Sequence, residues 1–347
     1  METSNSKTLL VTGGAGFIGC NFVRMCVARG HKVIVLDALT YAGHRENLEN
    51  IKGPGEMELV VGSVADPKVV SGIFKSHAFD VVVNFAAESH VDRSIDGPGV
   101  FIETNIVGTY TMLNSAYNYW LGLDEEAKNK FRFIQISTDE VYGELGDTGK
   151  FTEKTCYQPN SPYSASKAAG DHLARAWFHT FGFPAITTNC SNNYGPYQFP
   201  EKLIPTIINC ALHEKPLPVY GEGKNIRDWI QVEDHCRGIW KAIDAGLPGE
   251  TYCFGGNAER NNLSVVQTIC RELDSIRPRS LDGKYEDLIE FVKDRPGHDW
   301  RYAIDDTKAK KELGFKREYS FEEGLKQAIY WYIDNEDWMN AVLEKKQ

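Results

Sequence analysis

The chain has 347 residues, 42% of them hydrophobic, and a formal net charge of −10 at pH 7. This length is sufficient for one large domain or two ordinary domains with a sizeable core. The acidic balance and the lack of a long basic run argue against a nucleic-acid partner. No apolar run is long enough to cross a bilayer, so a membrane partner is not expected.

The N-terminus and the cysteines favour a cytoplasmic location. Residues 1–7 are polar and lack the apolar region of a signal peptide. The eight cysteines are scattered, with no C-x-x-C pair, and the nine histidines do not cluster with them. This pattern predicts neither a disulfide framework nor a metal site.

Short, apolar, β-branched runs alternate with helical stretches through the first half of the chain. We predict strands at 9–11, 31–36, 59–61, 81–85 and 133–136, and helices at 17–29, 100–120 and 163–180. Strands of this kind are typical of a parallel sheet covered on both faces. The alternation predicts an α/β fold with a Rossmann-type, doubly wound parallel sheet. The two longer helices could pack on the sheet, on a partner subunit, or on both.

A glycine-rich turn, from Gly13 to Gly19, follows the first predicted strand and opens the first helix. Glycine there allows a tight turn and a close approach of the backbone to a pyrophosphate at the helix N-terminus. Asp37 ends the second strand, where an acid accepts hydrogen bonds from ribose hydroxyls and repels a 2′-phosphate. The predicted cofactor is therefore NAD rather than NADP.

Two adjacent carboxylates, Asp139 and Glu140, come directly after the fifth predicted strand, within the segment 137–143. Ligands bind at the carboxyl ends of strands in doubly wound sheets. Neighbouring carboxylates can divide acid and base work when their surroundings separate their pKa values. An isolated Asp-Glu pair is more often a solvated end of a strand, so this assignment depends on the rest of the chain.

Tyr163 and Lys167 lie four residues apart, on one face of a predicted helix. With 16 tyrosines, about one such spacing arises by chance, and the alternative is a core tyrosine beside a surface lysine. Next to NAD the pair gains a function. A nearby cation favours the phenolate and brings the tyrosine pKa from about 10 toward neutrality. Such a tyrosine takes the proton of an alcohol while hydride leaves for NAD.

The glycine turn, the segment 137–143 and the Tyr-x-x-x-Lys pair together resemble the extended short-chain dehydrogenase/reductases. Within that group the chain is similar to the nucleotide-sugar 4,6-dehydratases. The likeness spans nearly the whole chain and includes segments 37–43, 86–92, 194–203, 227–229 and 294–299. It implies a homodimer, and a nucleotide-diphosphate glucose as the substrate.

The resemblance also implies a reaction and a role for each residue. Tyr163, assisted by Lys167 and Thr138, would deprotonate the C4 hydroxyl of the sugar as hydride passes to NAD. Glu140 would then remove the acidified C5 proton, and a protonated Asp139 would donate to the departing C6 hydroxyl. Hydride returns to C6, and the products are a 4-keto-6-deoxy sugar and water.

The cofactor and substrate residues follow from the same resemblance. The expected NAD-binding residues are Gly13, Gly16, Phe17, Ile18, Gly19, Asp37, Thr40, Ser63, Val64, Ala86, Tyr163 and Lys167. The expected substrate-binding residues are Ser89, Asn193, Lys202, Leu203, Pro218, Tyr220, Arg227, Asn262, Arg295 and His298.

The composition of the chain changes after about residue 190, where the predicted segments become short and rich in Gly, Pro and Asn. We expect an NAD-binding domain over 1–190, rejoined by parts of 226–256. A smaller, loop-rich, discontinuous lobe for the nucleotide sugar is expected within 191–347.

Two departures from the family pattern concern the nucleotides. Ser63-Val64 stands where an Asp-Ile pair is usual near the adenine, and Ala258 replaces a more usual Asn. The expected substrate is dTDP-glucose, with UDP-glucose as the alternative, since one buried methyl group contributes only about 1 kcal/mol. A nucleotide-sugar 4-epimerase and a catalytically silent NAD-binding regulator remain as further alternatives.

Overall fold

The computed structural model describes residues 6–280, 282–294 and 298–344. Within these ranges the strands are β1 (Thr8–Thr12), β2 (Lys32–Asp37), β3 (Glu56–Val61), β4 (Val81–Asn84), β5 (Arg132–Ile136), β6 (Ala185–Cys190), β7 (Asn192–Tyr194), β8 (Leu217–Tyr220), β9 (Ile226–Gln231), β10 (Thr251–Phe254), β11 (Glu259–Asn261) and β12 (Ile289–Val292).

The same ranges contain the helices α1 (Phe17–Ala28), α2 (Pro67–Ser76), α3 (Val91–Asp96), α4 (Gly99–Phe101), α5 (Thr109–Leu121), α6 (Glu125–Lys130), α7 (Pro162–Phe181), α8 (Leu203–Leu212), α9 (Val232–Ala245), α10 (Asn262–Ile276), α11 (Thr307–Leu313), α12 (Phe321–Asp334) and α13 (Glu336–Glu344). Short 3-10 turns cover Arg45–Leu48, Asp139–Tyr142 and Tyr285–Leu288.

In the described part of the chain, seven strands form one parallel sheet in the order β3-β2-β1-β4-β5-β6-β10. The winding direction reverses between β1 and β4, and this is where a doubly wound sheet opens a crevice at the carboxyl ends of its strands. The predicted Rossmann-type fold is confirmed. β6 and β10 were not among the strands predicted individually.

Both faces of the sheet are buried, as the continuous apolar runs indicate. On one face, Phe22 and Val23 of α1 and Ile239 and Trp240 of α9 pack in one core cluster with the sheet. On the other, side chains of α2, α5 and α7 form a second cluster. Strands of Val, Leu and Ile suit this position because their branched side chains pack on both surfaces of the pleat.

A separate apolar core joins α8, α10, α12 and α13 with β7 and β9. β7, β9 and β11 form a three-stranded sheet, and β8 pairs with β12 in a two-stranded one. β9 lies outside the main sheet although β10, shortly after it, is an edge strand of that sheet.

The long helix predicted over 100–120 is not regular. A π-helical segment, Ile102–Gly108, interrupts it between α4 and α5. The segment holds Asn105, whose side chain accepts from the Glu88 amide (2.9 Å) and donates to the Glu88 carbonyl (3.0 Å) and to the Ser166 hydroxyl (2.8 Å). Local π-helix often marks functional sites, and here it ties the end of β4 to α7.

Candidate active site

A cavity of ≈ 370 Å³ opens at the carboxyl edge of the main sheet. Its wall includes every residue predicted to bind the cofactor and all five predicted to act on the substrate, which are Thr138, Asp139, Glu140, Tyr163 and Lys167. It also includes three of the predicted substrate residues, Ser89, Asn193 and Lys202. The strand ends therefore bring together residues that lie far apart in the sequence.

The glycine turn forms one wall of this cavity, and its conformation requires glycine. Gly13 has φ +66°, and a Cβ there would lie 2.7 Å from the Ala86 nitrogen. A Cβ on Gly19 would lie 2.2 Å from the Gly13 carbonyl oxygen. No side chain caps the start of α1 at Gly16, so its first amides are available to an anion.

Asp37 is locked to the glycine turn. Its Oδ2 accepts from the Ala15 amide at 2.9 Å and its Oδ1 from the Leu39 amide at 2.8 Å. Burial raises the pKa of this carboxyl, and the two amides oppose the rise. The carboxylate is thus held at the cavity wall, in the geometry expected of a ribose-binding acid.

Thr138 begins the 3-10 turn that carries both acidic side chains. Its hydroxyl accepts from the Glu140 amide at 3.3 Å and lies 3.4 Å from Asp139 Oδ1. The turn follows β5 directly, because the Ser137 amide still donates to the Thr188 carbonyl of β6 at 2.7 Å. These hydrogen bonds fix Thr138, Asp139 and Glu140 at the carboxyl edge of the main sheet.

Asp139 is only 2% exposed, and its Oδ2 has no hydrogen-bond partner in the described part of the chain. Burial is the largest influence and raises the pKa of this carboxyl well above its usual value. The nearby charges of Glu140 and Asp228 raise it further. Asp139 is therefore the member of the acidic pair that keeps its proton, and this is the property a general acid needs.

Tyr163 and Lys167 lie on α7, with both side chains buried in the free protein. Lys167 donates from Nζ to the Ile136 carbonyl at 2.6 Å, and burial lowers its pKa. Burial, followed by the charge of Glu140, raises the pKa of Tyr163. The predicted shift of the Tyr163 pKa toward neutrality concerns the site with NAD bound, and it stays a prediction.

Two of the predicted substrate residues are held by their neighbours. Lys202 Nζ donates to the Ser89 carbonyl at 3.3 Å, which joins the start of α8 to the segment after β4. The Asn193 amide group donates to the Ser191 carbonyl at 3.0 Å, and its Oδ1 lies 2.9 Å from His235 Nδ1. Burial lowers the pKa of His235 to about 3, so the ring is neutral and donates this hydrogen bond.

The remaining predicted substrate residues that the structure describes do not line the cavity. The ring of Tyr220, on β8, lies 6.4 Å from that of His298, edge to face. Arg227 is buried and donates to the carbonyls of Ile226 and Asp299 at 2.8 and 2.9 Å. Pro218 is on β8, Leu203 begins α8 and Asn262 begins α10. Arg295 lies outside the described residues.

The structure shows which contacts are made at the two positions that depart from the family pattern. Ser63 and Val64 line the cavity, and the Ser63 hydroxyl accepts from the Ala65 amide at 3.1 Å. Ala258 packs in the apolar core of the α8, α10 and α12 cluster, and its amide donates to Asp228 Oδ1 at 2.7 Å. Asp228 also accepts from Ser191 Oγ at 2.7 Å, so it fixes the loop after β10 against the end of β6.

Several cavity residues were not identified from the sequence as site residues. They include Tyr41, Glu88, Cys190, Ser191, Gln198, Phe199 and Glu201. Most of them lie in the segments 37–43, 86–92 and 194–203, which carry the family resemblance. Membership of these segments was the feature of the sequence that could have identified them. Cys190 and Ser191 gave no such signal.

Within the described ranges, no group of three His, Cys, Asp or Glu side chains is arranged to hold a metal ion. Among the same residues, no helix has the length and apolarity needed to cross a membrane.

The fold and the Tyr163–Lys167 pair beside a glycine turn define an extended short-chain dehydrogenase/reductase. The family model for GDP-mannose 4,6 dehydratase matches residues 10–328. A dTDP-glucose 4,6-dehydratase of Xanthomonas campestris pv. campestris is 56% identical over 97% of this chain and 96% of its own length. The dTDP-glucose 4,6-dehydratase 1 of Escherichia coli K12 is 51% identical over 96% and 95%.

Solved structures give the same result. The DesIV dTDP-glucose 4,6-dehydratase of Streptomyces venezuelae, with NAD and TYD bound, superposes with a TM-score of 0.86 at 42% identity, covering 96% of this chain and 99% of that one. A UDP-glucose 4-epimerase of Thermotoga maritima reaches a TM-score of 0.82 at 26% identity, covering 94% and 99%. The chain belongs to the family of the dTDP-glucose 4,6-dehydratases.

Proposed function

We propose that this chain converts dTDP-glucose to dTDP-4-keto-6-deoxyglucose and water, using NAD held at the glycine turn. The observation that carries the proposal is the pairing of a buried, protonated Asp139 with Glu140 in the same cavity as Tyr163 and Lys167. An epimerase has no leaving hydroxyl to protonate, and a silent regulator has no need of the full set.

The glycine turn and Asp37 fit a dinucleotide. The absence of side chains at Gly13 and Gly19 leaves the backbone close to the cavity, and the first amides of α1 face a pyrophosphate. Asp37 would accept from the adenine ribose hydroxyls. Bound NAD supplies the chemistry of hydride acceptance from C4 of the sugar and hydride return to C6.

Tyr163 would take the proton of the C4 hydroxyl. Thr138 lies beside it at the end of β5, and a hydrogen bond from the Thr138 hydroxyl lowers the pKa of Tyr163. Lys167 would add its positive charge from the same helix face. Burial opposes ionisation of the phenol, so phenolate formation depends on favourable interactions such as these.

Glu140 and Asp139 would carry out the elimination. Once C4 is a ketone, the C5 proton becomes acidic, and Glu140 would remove it as the base. Asp139 would donate its proton to the departing C6 hydroxyl, which leaves as water. The order is required because the C5 proton is too weak an acid before the ketone forms.

Two groups of residues would hold the substrate. Ser89, Asn193 and Lys202 would contact the sugar end in the cavity, with Leu203 beside them. Arg227 and Arg295 would bind the diphosphate, since guanidinium groups match phosphate oxygens. The thymine would lie against Pro218 and Tyr220, and Asn262 and His298 would complete the nucleotide site.

We further propose an NAD-binding domain over 1–190, rejoined by α9 and β10 from within 226–256, and a discontinuous nucleotide-sugar lobe within 191–347. A homodimer is proposed through the helical segment from α4 to α5, where Val100, Ile102, Val107 and Tyr110 are exposed in the single chain. The scattered cysteines favour a cytoplasmic location.

Incubation with dTDP-glucose or UDP-glucose, without added reductant, tests the reaction. A 4-keto product that develops its chromophore in alkali is expected from dTDP-glucose, and a faster reaction of UDP-glucose would reassign the base. Formation of a galactose nucleotide would indicate an epimerase, and the absence of any product would indicate a regulator.

A further inference from the structure

Asp171 is a buried carboxylate that the mechanism above does not use. It lies on α7 one turn after Lys167 and is 3% exposed. Its Oδ2 accepts from the Ser137 hydroxyl at 2.6 Å and from the Tyr157 hydroxyl at 3.0 Å. Burying a carboxylate costs free energy, and two hydroxyl donors offset this cost only in part. The position of Asp171 next to the active-site residues therefore points to a role there.

The contacts of Asp171 and Lys167 converge on the end of β5. Asp171 holds the side chain of Ser137, and Lys167 Nζ donates to the carbonyl of Ile136, the preceding residue. Thr138 and Asp139 follow immediately in the chain. The two α7 side chains thus fix the backbone directly before Asp139 and Glu140, the proposed acid and base of the elimination.

Lys167 and Asp171 also interact electrostatically. Desolvation lowers the pKa of Lys167, and the negative charge of Asp171 opposes this shift. Lys167 gives its hydrogen bond to the Ile136 carbonyl and Asp171 accepts from two hydroxyls, so the carboxylate acts on the ammonium through space, across one helical turn. Asp171 supplies the compensating charge for an ammonium that is otherwise buried among neutral groups.

The ionisation of Asp171 is poised near neutral pH. Burial raises its pKa to about 6, while Lys167 and the hydroxyl groups of Ser137 and Tyr157 oppose the rise. The other titratable groups around this carboxylate are Tyr142 and Cys253, which lie behind Tyr157. His172 stacks obliquely on Tyr157, with ring centroids 5.2 Å apart.

We propose that Asp171 is a positioning residue, which keeps Lys167 charged and holds the Ser137–Thr138 backbone in register for catalysis. The proposal rests on the function given above, since it concerns the same site. Asp171 is not among the residues that line the cavity. Its ionised form is the active one, so turnover requires its deprotonation.

The first test replaces the carboxylate by an amide of the same shape. Asp171→Asn is expected to lower kcat about tenfold or more at pH 7.5, because the amide removes the negative charge that favours the lysine ammonium and weakens the hold on Ser137. KM for dTDP-glucose is expected to stay within about threefold, since no substrate contact is lost. A wild-type kcat together with a lowered Tm would overturn the proposal and leave Asp171 a purely structural residue.

The second test uses Tyr157→Phe, which keeps the ring and removes one hydroxyl donor from the carboxylate. Loss of that donor raises the pKa of Asp171, so the acidic limb of the kcat profile is expected to move to higher pH by about one unit. Tyr319→Phe is the matched control, because it removes a Tyr–carboxylate hydrogen bond of 3.0 Å, to Glu233, outside the cavity. Its acidic limb is expected to match that of the wild type.

The outcomes separate this proposal from the proposed function. If the wild-type protein gives no 4-keto product, the function fails, whatever the variants do. If the wild type turns over and the acidic limbs of wild type and Tyr157→Phe coincide, the role of Asp171 is refuted. The Tyr157→Phe measurement decides the question even if Asp171→Asn does not fold.

Discussion

Asp139→Asn separates the proposed oxidation step from the elimination step. Asparagine preserves the shape and neutrality of the protonated side chain but cannot donate an acidic proton to the leaving hydroxyl. Substrate should still bind, and Tyr163 should still remove the C4 proton. Elimination should slow by about 10²–10⁴-fold, the usual contribution of a general acid, which corresponds to about 3–5 kcal/mol in the barrier.

The assay follows the absorbance of reduced cofactor during turnover of dTDP-glucose. In the Asp139→Asn variant, reduced cofactor should build up, because oxidation continues while its product is consumed slowly. In D₂O, substrate recovered from this variant should also carry deuterium at C5, since Glu140 still removes that proton. Glu140→Gln is the matched control and should accumulate reduced cofactor without exchange at C5.

The same substitution has a consequence for stability. The pKa of Asp139 is raised in the folded state by burial, so the contribution of this group to stability is fully present below the unfolded carboxyl pKa of about 4 and is lost as pH rises toward the folded pKa. Asparagine has no such loss. The variant should therefore gain stability relative to the wild type as pH rises above about 4. Weaker substrate binding with no build-up of reduced cofactor, or an unchanged stability difference, would refute the role given to Asp139.

Three further substitutions test the rest of the site. Tyr163→Phe should lower cofactor reduction by at least about 10²-fold, since the proton acceptor for the C4 hydroxyl is lost, and single-turnover absorbance would detect any retained reduction. Asp37→Ala should reduce the preference for NAD over NADP by about tenfold or more, measured by competitive binding, and an unchanged ratio would remove its role. Trp338→Phe should weaken NAD binding about fivefold, because Trp338 Nε1 donates at 2.8 Å to Asn47, whose amide donates to the Ala15 carbonyl in the glycine turn. Trp331→Phe, a change in the same aromatic cluster with no side-chain hydrogen bond to Asn47, is its control, and equal NAD affinities in the two variants would exclude this connection.

The strand ends were the part of the site best predicted from the sequence. Gly13, Asp37 and Asp139 each follow an apolar run, and parallel strands bring their carboxyl ends to one edge, so their meeting in one cavity follows from the pattern. The bounds of β1 and β5 differ from the prediction by one residue at their ends. Local hydrophobic pattern was sufficient because each strand is buried on both faces.

Features that depend on distant packing were not predictable in this way. The π-helical turn at Ile102–Gly108 breaks a pattern that reads as one regular helix, and it forms where Asn105 bonds to Glu88 and Ser166. The burial of Tyr163, which raises its pKa, was not predictable either, because the spacing to Lys167 carries no information about burial. Asp171 is an ordinary helix residue in the sequence, and only tertiary structure shows its bonds to Ser137 and Tyr157.

The central claim is that hydrogen removed from C4 of the sugar is returned within the same molecule to C6. The most direct measurement uses dTDP-glucose that carries deuterium at C4 and locates the label in the product by NMR. We expect deuterium at C6, a C5 hydrogen derived from solvent, and no net change in the cofactor. Product that carries only solvent hydrogen at C6, or label that stays at C4 in a galactose nucleotide, would contradict it.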